Sequence, residues 1–222
     1  MKKNRIFQVS TIDFLLKRNY SGFVSIKQLL KHGNLGIGTF SGLDGEMIML
    51  GGKIYQANGT GEINEAKLSQ KTPFAISTYF KPEKSLTVEN KGSKDLSRLL
   101  HKHLISGDFV YALKITGLFQ MIDLRSGIKQ QKPYPEFKTI TKSLSQFKLE
   151  HIEGTIVGFY FPEIYKNISG NGYHFHFIDK KFVHGGHVND FFIQNAIAEA
   201  QIKTQINLKL YNPSAIRQTV ND

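Results

Sequence analysis

Residues 34–59, NLGIGTFSGLDGEMIMLGGKIYQANG, carry the pattern that decides the fold class. Three apolar runs of strand length are cut by GLDG at 42–45 and by GG at 51–52, which reads as a β-meander with tight glycine turns. Upstream, VSIKQLLKHG (24–33) reads as a short helix with Ser25 as N-cap and Gly33 just past its end. Downstream, SKDLSRLLHKHLISGD (93–108) is the clearest helix, with Leu96, Leu99, Leu100, His103 and Leu104 at helical spacing between a Ser93 cap and Gly107.

Strand-type sequence dominates the rest of the chain. FVYALKITGLFQMIDLRSG (109–127) reads as strand and turn, and KQQKPYPEF (129–137) as a Pro-punctuated crossing between lobes. TITKSLSQFKLEH (139–151) is read as a short helix, and GTIVGFYFPEIY (154–165) as a buried strand running into a turn at Pro162. YHFHFI (173–178) and the segment after DKK suggest a hairpin. QIKTQINLKL (201–210) alternates as one half-exposed strand, with Ile202, Ile206, Leu208 and Leu210 on one face. The expectation is an α+β protein of two mixed or antiparallel β-sheet lobes with few helices. The first lobe, with helices, spans residues 1–130. The second spans residues 131–222 and carries the histidines.

Composition narrows the chemistry. The chain has 222 residues, 40% of them hydrophobic, enough for a substantial core. It has no cysteine, which excludes disulfides, a thiolate nucleophile and any sulfur-ligated metal. The formal charge of +11 raises the question of nucleic acid, but only five of the 29 basic residues are Arg and the lysines are scattered singly. A solvated lysine surface is expected, with no nucleic-acid partner. The basic start MKKNRIFQVSTIDFLLKRNY is interrupted by Asp13 and reads as an amphipathic segment rather than a signal peptide. No stretch approaches the roughly 18 apolar residues of a membrane span. A cytoplasmic location without a membrane partner is the expectation.

The chemistry concentrates in GNGYHFHFIDKKFVHGGHVNDF (170–191), which holds four of the eight histidines. His174 and His176 are two apart in a strand, so both imidazoles project from one face. The hairpin returns His184 or His187 beside them. These two are three apart and cannot share a face in regular strand, unless Gly185-Gly186 forms a bulge. Spacing leaves the third ligand open. Three imidazoles without thiolates suit Zn²⁺, with other divalent ions possible, and leave positions for substrate. His101 and His103 diverge around a helix, and His32 and His151 suit surface or capping roles. Glu46 enters a strand apolar on both faces, Arg125 ends an apolar strand, and Thr39 reads by itself as a β-former.

In the order and spacing of LLKHGNLGIGTFSGLDGEMI (29–48), QQKPYP (130–135), GTIVGFYFPE (154–163) and GYHFHF…GGHVNDF (172–191), the sequence resembles the α-acetolactate decarboxylases. The resemblance implies a two-lobe protein, usually a homodimer, that decarboxylates (S)-2-acetolactate to (R)-acetoin without an organic cofactor. It implies Zn²⁺ held by His174, His176 and His187, with the family's active-site glutamate at Glu46, its arginine at Arg125 and its threonine at Thr39. The metal would chelate the keto and hydroxyl oxygens and stabilise an enediolate. One departure stands out: members of the family carry a second glutamate in a tail, and here no acidic residue stands between Glu199 and Asp222. The alternatives are a cupin-like His-metal dioxygenase and a non-catalytic zinc or small-molecule binding homologue.

Overall fold

A computed structural model describes residues 4–212. In chain order its strands are β1 (Arg5–Val9), β2 (Val24–Ser25), β3 (Leu35–Thr39), β4 (Glu46–Leu50), β5 (Lys53–Ala57), β6 (Ile63–Glu65) and β7 (Lys71–Thr72). They continue as β8 (Ala75–Thr78), β9 (Lys84–Gly92), β10 (Val110–Ser126), β11 (Ser145–Phe161), β12 (Gly172–Asp179), β13 (Gly185–Lys203) and β14 (Gln205–Lys209). The helices are short: α1 (Ile12–Leu16), α2 (Ile26–Leu29), α3 (Ser93–His103), α4 (Phe137–Ile140) and α5 (Lys166–Ser169). The fold is α+β, as expected, and no helix among the described residues is long and apolar enough to cross a membrane.

The opening stretch forms β3, β4 and β5, paired antiparallel in sequence order. Gly51 and Gly52, at φ 62° and 81°, form the two-residue turn between the paired Leu50 and Lys53. Two successive positive φ values match the twist of a tight hairpin and explain the glycine pair. These strands sit in a seven-stranded sheet of order β14-β1-β8-β3-β4-β5-β6, mixed because β1 and β14 run parallel. A second sheet runs β10-β11-β12-β13-β9. Since β10 also pairs with β13, strands β10 to β13 close on themselves.

Three apolar clusters hold these layers. Ile37, Ile48 and Ile76 of the first sheet pack against Val157, Phe159 and Ile178 of the second. The opposite face of the first sheet, with Met47 and Met49, is covered by Ile26 and Leu29 of α2. Leu96 and Leu100 of α3 join Phe119, Phe177 and Phe191 of the second sheet. Removing one such ring costs about 3–5 kcal/mol, so the sheet-to-sheet contact that brackets the site is strongly specified.

Several expectations need correction. Only residues 139–143 of the segment taken as a helix are helical, as the end of α4 and a following 3₁₀ turn. From Ser145 the chain is strand β11, because Phe147 and Leu149 alternate with Lys148 and Glu150 and pack at period two against the cluster of α3 and the second sheet. The alternating run 201–210 is two strands broken at Thr204: Ile202 lies in β13 of the second sheet, and Ile206 and Leu208 lie in β14 of the first. Gly92, not Ser93, is the cap of α3, because the Ser93 hydroxyl donates to Asp190 Oδ1 at 2.5 Å. Gly33 closes a 3₁₀ turn, Leu30–His32, that continues from α2, and it does so in extended rather than left-handed backbone. The Pro-rich segment does not cross between lobes, since the flanking β10 and β11 are neighbours in one sheet. The sheets do not divide at residue 130 either: β9 and β10 belong to the second sheet and β14 to the first.

Candidate metal centre

The hairpin of β12 and β13 brings the histidines together by register. His176 lies directly opposite His187, and His187 in turn lies opposite Arg125 of β10. Three adjacent strands thus present His176, His187 and Arg125 in one row, and His174 follows two residues from His176 on the same face. The candidate ligand nitrogens of His174, His176 and His187 all lie within 4.8 Å of one another. The odd residues of β12, Phe175 and Phe177, point the other way, into the cluster that α3 covers.

His184 is elsewhere. Its side chain is 43% exposed and its Nδ1 stands 3.3 Å from Asp179 Oδ2. Gly185 and Gly186 do not form the bulge considered from spacing; they pair regularly with Ile178 and Phe177. They serve close approach instead. A Cβ on Gly185 would lie 2.5 Å from the Phe177 carbonyl oxygen, and one on Gly186 would lie 2.9 Å from that of Arg125. Regular pairing through both glycines is what delivers His187 to the cluster.

Burial decides the protonation of the three rings. His174 is pushed down to about 4, first by burial and then by the Arg125 charge. Burial, then the neighbouring imidazoles, hold His176 and His187 well below the ordinary histidine value. All three are neutral near pH 7. His176 Nδ1 lies 2.8 Å from the Met47 carbonyl oxygen, which can only accept, so the proton sits on Nδ1 and Nε2 carries the lone pair. His187 Nε2 lies 2.9 Å from Arg125 Nη2, which can only donate, so Nε2 accepts and the ring proton sits on Nδ1, 3.4 Å from His176 Nε2.

Glu46 reaches the cluster from the first sheet. Its Oε2 is 3.4 Å from His176 Nε2, and its side chain is 17% exposed. Burial raises its carboxyl to about 7, against the lowering effect of Arg125. Thr39 lies opposite Glu46 in the β3–β4 pair, and its hydroxyl donates to the Gly45 carbonyl at 2.7 Å. That bond fixes the residue before Glu46 and leaves the Thr39 lone pairs as acceptors.

These six residues line one cavity of about 290 Å³. Its remaining wall is apolar: Ile12, Leu15 and Leu16 from α1, Phe137 and Ile140 from α4, with Leu43, Phe74 and Leu144. Sequence reasoning missed this wall. The only signal was the apolar spacing of residues 12–16, which read as an amphipathic segment with no site to face. The arrangement suits a small, branched, oxygen-rich anion, with a cation-binding floor and a water-excluding roof.

Comparison with known proteins gives a consistent picture. Residues 6–219 match the alpha-acetolactate decarboxylase family. The chain is 38% identical to the alpha-acetolactate decarboxylase of Brevibacillus brevis over 198 residues, covering 89% of this chain and 70% of that one. It is 34% identical to the Bacillus subtilis enzyme of the same name, covering 94% and 82%. A crystal structure of the Bacillus subtilis strain 168 protein superposes with TM-score 0.92 at 33% identity, covering 95% of this chain and 90% of that one. A Staphylococcus aureus protein described as similar to alpha-acetolactate decarboxylase also gives 0.92 at 33% identity, covering 99% and 94%. The tail in which the resemblance would seek a second glutamate holds none in this sequence after Glu199, and its residues 213–222 lie outside the described residues.

Proposed function

We propose, from the premise that the chain belongs to the alpha-acetolactate decarboxylase family of carboxy-lyases, that it converts (S)-2-acetolactate to (R)-acetoin and CO₂ with a zinc ion held by His174, His176 and His187. The observation that carries the reading is the cluster itself. Three neutral imidazoles, His176 buried and the other two half-buried, converge within 4.8 Å beside Glu46 and Arg125. The donor set fits zinc: neutral nitrogens suit a borderline cation, three protein ligands leave open positions, and the Met47 carbonyl orients one ring as metal-binding histidines require. A bound zinc would supply Lewis acidity toward the substrate's keto and hydroxyl oxygens as electron density moves onto them.

The chain's own residues do the rest. Arg125, permanently charged, takes the substrate carboxylate and holds it in the plane from which CO₂ leaves. The apolar wall receives the two methyl groups and keeps water from the departing carboxylate, so the charge on Arg125 acts at low dielectric. When the C–C bond to the carboxylate breaks, its electron pair stays on the substrate and a proton must reach carbon. Glu46, whose carboxyl burial raises to about 7 in the metal-free protein, is the group at the cluster placed to hold that proton and pass it to carbon. Thr39 accepts from the substrate hydroxyl while its own O–H stays donated to the Gly45 carbonyl. The family match leaves the cupin-like dioxygenase without support. A homodimer and a cytoplasmic location belong to the same reading.

The test is direct. Purified protein is expected to hold about one zinc per chain and to release acetoin from racemic acetolactate well above the spontaneous background. Zinc-replete protein that releases none would overturn the catalytic reading and leave a zinc-binding homologue.

A further inference from the structure

The pairing of β10 with β13 is irregular beside the site. Arg125 faces His187 and Leu124 faces Val188, but Asp123 then faces Asp190, so Asn189 is an extra residue with no partner opposite. Such a bulge takes one residue out of the ladder and re-aims the side chains around it. Asn189 Oδ1 accepts from Arg125 Nη1 at 3.1 Å, and Asn189 Nδ2 donates to Asp123 Oδ1 at 3.3 Å. The chemistry allows one orientation of this amide. A guanidinium only donates and a carboxylate accepts, so the oxygen must face Arg125 and the nitrogen Asp123.

We infer that Asn189, presented by this bulge, is a positioning residue for Arg125, locked in orientation by Asp123. Arg125 donates from Nη2 to His187 and from Nη1 to Asn189. A His187 that gives its one lone pair to zinc cannot accept from Arg125 as well, so in the zinc-loaded enzyme the Asn189 oxygen is the contact that keeps the guanidinium plane, and without it the fork can swing. Asp123 acts one step back: without its carboxylate the Asn189 amide is free to turn and present its nitrogen, a donor, to another donor. Nothing in the sequence pattern marks Asn189, because regular alternation would count it simply as the neighbour of His187 two residues on. The inference rests on the reading of Arg125 as the group that takes the substrate carboxylate.

The test is a double-mutant cycle on acetolactate turnover with the zinc-loaded enzyme. Asn189→Ala is expected to lower kcat/KM about tenfold or more while zinc content and melting temperature stay unchanged. In an Arg125→Ala background the same change is expected to add less than about twofold, since a residue acting only through Arg125 has nothing left to act on. Combining Asn189→Asp with Asp123→Asn exchanges donor and acceptor between the two positions. This pair is expected to recover kcat/KM to within about threefold of the parent, whereas Asn189→Asp alone sets two carboxylates face to face and stays low. If Asn189→Ala does not fold, the comparison of that pair with Asn189→Asp alone decides. The inference is overturned if Asn189→Ala keeps parental kcat/KM, if its loss multiplies independently with that of Arg125→Ala, or if the exchange recovers nothing. Arg125→Ala with parental kcat/KM would instead overturn the role given to Arg125, and the inference with it.

Discussion

Strand β13 carries a nitrogen base toward each end, half-buried His187 near its start and buried Lys203 at its last residue. Burial is the largest influence on both, and it lowers both: His187 well below the histidine value, Lys203 to about 8 with Glu83 pulling the other way. Their partners differ in kind. Lys203 Nζ donates to Gln201 Oε1 at 2.6 Å and to the Tyr79 carbonyl at 3.5 Å, so a protonated amine meets acceptors. His187 accepts from Arg125 Nη2 at 2.9 Å, but it also meets two other neutral imidazoles, and the ring nitrogens of all three converge within 4.8 Å. A shifted pKa alone therefore does not separate a structural base from a site. What separates them is whether the neighbours complete the hydrogen bonding or leave a convergent set of lone pairs that an electrophile must fill.

The contrast breaks most easily at the histidines. His187→Ala is expected to lose zinc and to lower kcat/KM by at least about 10³. His184→Ala, three residues away and tied to Asp179 at the surface, is expected to keep its zinc and most of its activity. Metal analysis of the two purified variants, beside the acetoin assay, reads this out. Zinc retained by the first and lost by the second would reverse the ligand set.

Glu46 sharpens the same contrast with a smaller effect, because it handles a proton rather than a metal. Glu46→Gln keeps the shape and removes the titration, and is expected to lower kcat about 10²–10³-fold with zinc retained. The metal-free protein gives an independent reading. A carboxyl raised to about 7 from its ordinary 4.5 makes the fold less stable as pH rises through that window, because the folded chain holds a proton that the unfolded chain has released. Metal-free Glu46→Gln is therefore expected to be more stable than the metal-free parent above pH 7, by roughly 1–3 kcal/mol, and equal to it below pH 4.5. Denaturant midpoints across that range would expose a contrary sign.

Much of the fold was legible because its signals are local. The glycine pair at 51–52 and the runs around it specify a hairpin within a few residues, and the period of β12 puts His174 and His176 on one face whatever surrounds them. The failures share a cause: each depended on a partner distant in sequence. Residues 145–151 are strand because β10 lies alongside, and the run at 201–210 breaks at Thr204 because its halves pair with different sheets. The choice of His187 over His184 did not follow from spacing; the resemblance supplied it, and the register through Gly185-Gly186 gives its physical reason. The apolar roof and the Asn189 bulge left no local mark at all, since one is assembled from α1 and α4 and the other is defined only by the pairing of β10 with β13.

Lys203 offers the smallest effect and the cleanest sign. Its ordinary value is 10.5 and its folded value about 8, so below pH 8 the amine is charged in both states and the cost of burying that charge is present in full. Between pH 8 and 10.5 the folded amine has released its proton while the unfolded one has not, and the cost fades as pH rises. Lys203→Met removes the charge and keeps the length of the side chain. It does not strand Gln201, whose Oε1 also accepts from the Lys81 N–H at 3.0 Å. The variant is expected to be more stable than the parent at pH 7 by roughly 1–3 kcal/mol, as buried ions replaced by well-packed apolar groups often are. The difference should shrink to nothing near pH 10.5, with activity and zinc content unchanged, because no site residue touches this end of β13. Paired denaturation curves at pH 7 and pH 10.5 measure it, with the other titrating groups cancelling in the comparison. A variant less stable than the parent at pH 7 would mean that the acceptors around Lys203 more than offset its desolvation, and that the two ends of β13 differ in the sign of their energetics as well as in their partners.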